Sequence, residues 1–223
     1  MKLSDQIRKD KEVYASLPDR SSKLRFIWDY YKYPLLFVGT VIVLLLISFI
    51  SNIGKADVNL YVVLLNNDSA VIECDDTVFS STMEKAGISM KGKRVDVNTD
   101  LSLGLGNNES ADAETLQVLT ALFTISDLDV YAAPKQYFDY FADDGGYADL
   151  GRLIEKDILD RHGDDLYYFT DSNGNKTLIG VILHEGSPLH KAGYYHNDVI
   201  IGVVNNAYHF DEAIAFMKQF LSE

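Results

Sequence analysis

VNLYVVLL, residues 58–65, is the stretch from which the rest of the chain is read. Its run of Val, Leu and Tyr, closed by the turn formers Asn66-Asn67-Asp68, reads as a β-strand. Downstream, Asp76 is placed to cap a helix over 77–86, which Gly87 ends in the left-handed conformation that glycine tolerates. Lys93 to Asn98 reads as a second strand. A polar loop over 100–110 leads into a helix over 111–125, where Leu116, Leu119, Leu122 and Phe123 recur at helical spacing. Leu128 to Ala133 reads as a third strand, Pro134 opens a helix reaching Phe141, and Gly145-Gly146 breaks it. A helix over 150–161, a hairpin of 165–170 with 176–183, a strand over 198–205 and a helix over 210–221 complete the chain. Strands alternating with helices predict an α/β fold with a mainly parallel sheet flanked by helices.

Upstream lies LLFVGTVIVLLLISFISNI, residues 35–53, without a single charged side chain. As a helix it would reach roughly 28 Å, close to the hydrocarbon thickness of a bilayer at about 30 Å. Residues 1–33 carry eight Lys and Arg against five Asp and Glu, whereas from Lys55 onward there are 12 basic and 28 acidic residues. By the positive-inside rule the basic flank stays in the cytoplasm. The expectation is a signal-anchored, single-pass cell-membrane protein. Its parts are a cytoplasmic tail (1–33), a transmembrane helix (34–54) and an extracellular α/β domain (55–223), with the lipid bilayer as partner through residues 35–53. Pro34 is expected in the first turn of the membrane helix, and a short tail helix is expected over 4–16.

The formal net charge of −13 argues against nucleic acid as a partner, because phosphate backbones are bound by Lys and Arg. One cysteine, Cys74, excludes an intrachain disulfide, as suits a bacterial cell-envelope protein held by packing.

Two stretches carry a resemblance. TALFTISDLDVYAAPKQYFDYFADDGGYADL (120–150) is similar to extracellular solute-binding proteins of ABC importers: a helix, Asp-Val on a strand, a helix with Phe, a Gly-rich break and an aromatic-x-Asp-Leu. DVIIGVVNNAYHFDEAIAFMKQFL (198–221) resembles the same family's closing strand and helix. The tail FIWDYYKY (26–33) resembles that of uncharacterised single-pass proteins of Gram-positive bacteria. The resemblance implies one lobe of a solute-binding protein, too short for two lobes to close on a ligand. What it implies functionally is a module that recognises an unknown solute or envelope protein without catalysis; the alternative is a structural subunit of a membrane complex with no small-molecule site.

Ligands of open α/β sheets sit at the carboxyl ends of the strands, where the strand order reverses. The ligand-binding candidates are therefore Asn66, Asn67 and Asp68 after the first strand, Ser102 after the second, and Tyr137 and Tyr140 after the third. Tyr offers apolar area with a polar tip. LGLGNNE, residues 103–109, begins like a dinucleotide fingerprint, but Glu109 replaces the last glycine, and Asp112 and Glu114 add charge that repels phosphate. DSNGN, residues 171–175, starts like a calcium loop but continues with Lys176 where glycine is required, so turn chemistry explains it. His184, His190 and His196 lack metal-site spacing. No nucleophile motif is present. No catalytic residue, metal or cofactor is expected.

Overall fold

A computed structural model describes residues 11–17, 19–52, 56–68, 77–104, 109–143 and 145–223. The chain divides into two compact units, Met1–Lys55 and Ala56–Glu223. Asp76, Cys74 and most of the 103–109 loop lie outside the described residues, as does the start of the expected tail helix, of which residues 11–16 are helical.

In the first unit one helix, α1, runs Arg20–Asn52 and takes Pro34 into its interior rather than its first turn. Proline there removes the bond its N–H would have made four residues back. Among the described residues no helix is long and apolar enough to cross a membrane. This finding corrects the expectation of a transmembrane signal-anchor over 34–54. The single-pass cell-membrane location falls with it, as do a cytoplasmic N-terminus and an extracellular C-terminal domain. The bilayer contact expected of residues 35–53 loses its basis.

The second unit is built on a six-stranded sheet: β1 (Asp57–Leu64), β2 (Lys93–Asn98), β3 (Val130–Ala133), β4 (Leu166–Thr170), β5 (Lys176–Leu183) and β6 (Val199–Val203), in the order β2-β1-β3-β6-β5-β4. β1 pairs in parallel with both β2 and β3, while the β3–β6, β6–β5 and β5–β4 pairs are antiparallel. The sheet is thus mixed, and the expectation of a mainly parallel one is corrected. The reason lies in the connections. α2 (Thr77–Lys85) and α3 (Glu109–Thr124) are long enough to carry the chain back along the sheet, so β1, β2 and β3 run the same way. Between β5 and β6 there is only the single-turn helix α7 (Pro188–Lys191), and the strands turn back on each other. Three more helices lie between β3 and β4, α4 (Lys135–Asp139), α5 (Leu150–Leu153) and α6 (Lys156–His162), and α8 (Phe210–Phe220) closes the chain.

Period-2 alternation divides the apolar residues between two cores. Leu60, Val62 and Leu64 of β1 pack with Phe79 and Met83 of α2 and with Phe216, Met217 and Phe220 of α8. Val63, with Leu65 just beyond the strand, faces the other way, toward Leu119 and Phe123 of α3 and toward Phe138 and Phe141. The second core is aromatic. Phe138 stacks on Tyr147 at 4.1 Å and Phe123 on Phe141 at 4.1 Å. Gly146 is required beside this stack, because a Cβ there would lie 2.6 Å from the Phe141 carbonyl oxygen. Asp129, fully buried at the amino end of β3, pins the layers together. Its carboxylate accepts hydrogen bonds from the Tyr61 backbone N–H (2.7 Å), the His209 backbone N–H (2.9 Å) and His209 Nδ1 (2.9 Å).

Candidate functional site

β1 is flanked by β2 on one side and β3 on the other, and the helices that follow β1 and β2 pack on opposite faces of the sheet. The carboxyl ends of β1 and β3 therefore border a topological switch point. A crevice of about 510 Å³ opens there, lined by Leu103, Gly104, Asp112, Ala113, Leu116, Gln136, Tyr137, Tyr140 and Phe141.

Its rear wall is a loop held by specific bonds. Asn66 adopts a left-handed conformation (φ 54) that turns its amide onto Leu103, donating to the carbonyl oxygen (2.8 Å) and accepting from the backbone N–H (2.7 Å). Tyr137 donates its hydroxyl to the same carbonyl (2.9 Å). Gly104 follows at φ +67, and a Cβ there would strike the Tyr137 hydroxyl, so conformation and space both demand glycine. Its N–H donates to Asp112 Oδ1 (2.9 Å), tying the loop to the first turn of α3. The front wall is Tyr140, 57% exposed, whose ring meets Phe141 edge-on at 5.0 Å.

The six candidates separate in the folded chain. Tyr137 and Tyr140 line the crevice, and Asn66 supports it from behind. Asn67 instead ties strand ends together, donating to the carbonyl oxygens of Leu64 (2.9 Å) and Thr99 (2.6 Å). Asp68 turns toward the β5–β6 connection, where its Oδ2 accepts from the His196 backbone N–H (2.8 Å) and lies 2.9 Å from His196 Nδ1. Ser102 is exposed and is not among the lining residues. Sequence reasoning missed Asp112, Ala113, Leu116, Gln136 and Phe141. Leu103 and Gly104 stood in the glycine-rich loop, but only the fold turns them toward Tyr137.

Polar groups elsewhere are largely paired. A wider depression of about 630 Å³ lies beside the β5–α7 turn, where His162 Nε2 meets the Leu221 carbonyl oxygen (2.8 Å). There His184 stands between Asp198 (2.9 Å) and Asp165 (3.2 Å). The hydrogen bond to Asp198 raises the His184 pKa above its ordinary value. With their charges spent on one another and away from the switch point, these groups offer a ligand less than the crevice does. In the hairpin turn Asp171 accepts from the Asn173 and Asn175 backbone N–H groups and from Asn175 Nδ2, occupying its oxygens internally. Among the described residues no group of three His, Cys, Asp or Glu side chains is placed to hold a metal ion. Lys135, Asp139 and Tyr167 form a closed triad; its hydrogen bond to Asp139 raises the Lys135 pKa.

No family model matches the chain. Neither a curated protein nor a solved structure matches it.

Proposed function

We propose that residues 56–223 form a recognition module that seats a ligand or partner segment in the crevice at the carboxyl ends of β1 and β3, without catalysis. The observation that carries this is the crevice itself: aromatic and aliphatic walls, fixed by Asn66, Gly104 and Tyr137, around a volume typical of small-ligand sites. Its polar groups suit contact and orientation. Gln136 contributes an amide and Tyr140 a phenol, while Asp112 already accepts the Gly104 N–H. The resemblance to one lobe of a solute-binding protein of ABC importers points to the same end of the sheet. A structural subunit is the second reading, and it draws support from Asn66 and Asn67, whose amides are spent on the protein's own backbone.

Thermal melting of the full chain with a panel of sugars, amino acids and short peptides tests the proposal. A solute at 100 times its Kd should add about 2.7 kcal/mol of stability. Ala113→Trp, which fills the crevice, should abolish that gain. A panel that moves nothing favours the subunit reading.

A further inference from the structure

We propose that the crevice is one end of a longer groove that takes a cationic segment of a partner protein, with apolar side chains filling the groove; this rests on the recognition reading of the same crevice. Two further depressions adjoin it. One, of about 630 Å³, runs along α3 and shares Ala113, Leu116 and Tyr140 with the crevice. The next, of about 400 Å³, shares Thr120, Thr124 and Tyr140 with the second and ends at Asn205 and Asn206. Ala113, Leu116, Thr120 and Thr124 recur at three- and four-residue intervals, so they form one stripe on one face of the helix. That stripe is about 16 Å long, the reach of about five extended residues. Tyr140 stands along it, and Ile125, 60% exposed, lies at its far end.

Charge decides the occupant. The residues that line the three depressions include one carboxylate, Asp112, and no Lys or Arg. α3 has no Lys or Arg anywhere along its length. Asp112 lines the groove, and Glu114 lies one turn before Gln117, another lining residue. At the far end the last carbonyls of α3 add the partial negative charge of a helix C-terminus. One of them, on Phe123, already accepts from Asn206 Nδ2 (2.8 Å). The second unit of another copy, with 12 basic and 28 acidic residues from Lys55 onward, would be repelled. A segment in which Lys or Arg alternates with Leu or Phe would bring opposite charge to both rims and apolar groups to the floor.

The test is fluorescence anisotropy of the full chain with three labelled synthetic peptides: alternating Lys and Leu, the same with Glu for Lys, and the same with Ser for Lys. The Lys peptide should bind about tenfold tighter than the Ser peptide and weaken at high salt, while the Glu peptide should not bind. Tyr140→Ser should weaken the Lys peptide about tenfold. Tyr168→Ser, an equally exposed tyrosine on β4, should leave it unchanged, with melting curves confirming that both variants fold. Equal effects of the two variants would show diffuse attraction to an acidic surface and overturn the proposal, as would binding of the Glu peptide. If a neutral solute stabilises the chain but not Ala113→Trp, and the Lys peptide fails to bind, the cationic occupant is refuted and the recognition reading survives.

Discussion

Asp129→Ala should be among the most damaging single substitutions in the second unit. The carboxylate is fully buried and accepts three hydrogen bonds, two from backbone N–H groups of Tyr61 and His209 and one from the His209 ring. Hydrogen bonds to a charged acceptor contribute about 1.5–3 kcal/mol each, and a buried donor left without a partner costs about 1–3 kcal/mol. The His209 side chain is 20% exposed and can turn to water, so the two backbone donors set the loss. Together they predict about 4 kcal/mol, a large share of the roughly 5–15 kcal/mol a domain possesses. Asp129→Asn keeps one acceptor oxygen but points an N–H₂ at a donor, and should cost about half as much. Urea denaturation followed by circular dichroism measures both, with an unchanged slope showing that the folded and unfolded states keep their exposed areas. A loss below about 1 kcal/mol for the alanine variant would refute the assignment of Asp129 as the pin between β1, β3 and α8.

Tyr131→Phe should stabilise the protein by about 1 kcal/mol, read as a raised urea midpoint, because its buried hydroxyl has no hydrogen-bond partner among the described residues. Burial also holds that hydroxyl's pKa above its ordinary range, so it stays neutral. Gly104→Ala should lower stability by at least about 1 kcal/mol through its positive φ and displace Tyr137, visible as a changed near-ultraviolet tyrosine signal. His184 has a folded-state pKa raised by Asp198, so its contribution is complete below the unfolded value of about 6.5 and fades as pH rises through the folded value. A urea series across that window should show the fade in the wild type and a flatter profile in His184→Gln. The group is half exposed, so the effect is small.

Much of the second unit was legible locally. β2 and β5 fall on the expected residues, and β1 and α8 within one. The helix expected over 150–161 breaks in two because Ile154 turns extended (φ −108, ψ 141) and Glu155 starts a new helix. Leu153, Ile154, Ile158 and Leu159 keep their apolar rhythm across that break, so periodicity hides it. The antiparallel half of the sheet was hidden for another reason: strand direction depends on where β6 finds a partner, and β3 is 67 residues earlier in the chain at the Ala133–Ile200 end of their register and 73 at the Val130–Val203 end. At the site, Tyr137 and Tyr140 were legible because they follow a strand by a few residues. Ala113 and Leu116 were not, because the pattern of α3 shows an apolar stripe without showing that Tyr140 stands against it. In the first unit the uncharged run at 35–53 dominated the reading, and it was corrected because no described helix is long and apolar enough to cross a membrane.

Under the proposed function the crevice between Leu103, Leu116 and Tyr140 is where this protein engages another molecule. The most direct measurement is methyl-detected NMR of the full chain during titration with phenol and with N-acetyl-lysine methyl ester. The methyl signals of Leu103, Ala113 and Leu116 should shift first and saturate. Saturating shifts at Leu183, Ala192 and Leu221, around the wider depression by the β5–α7 turn, with none in the crevice, would contradict it.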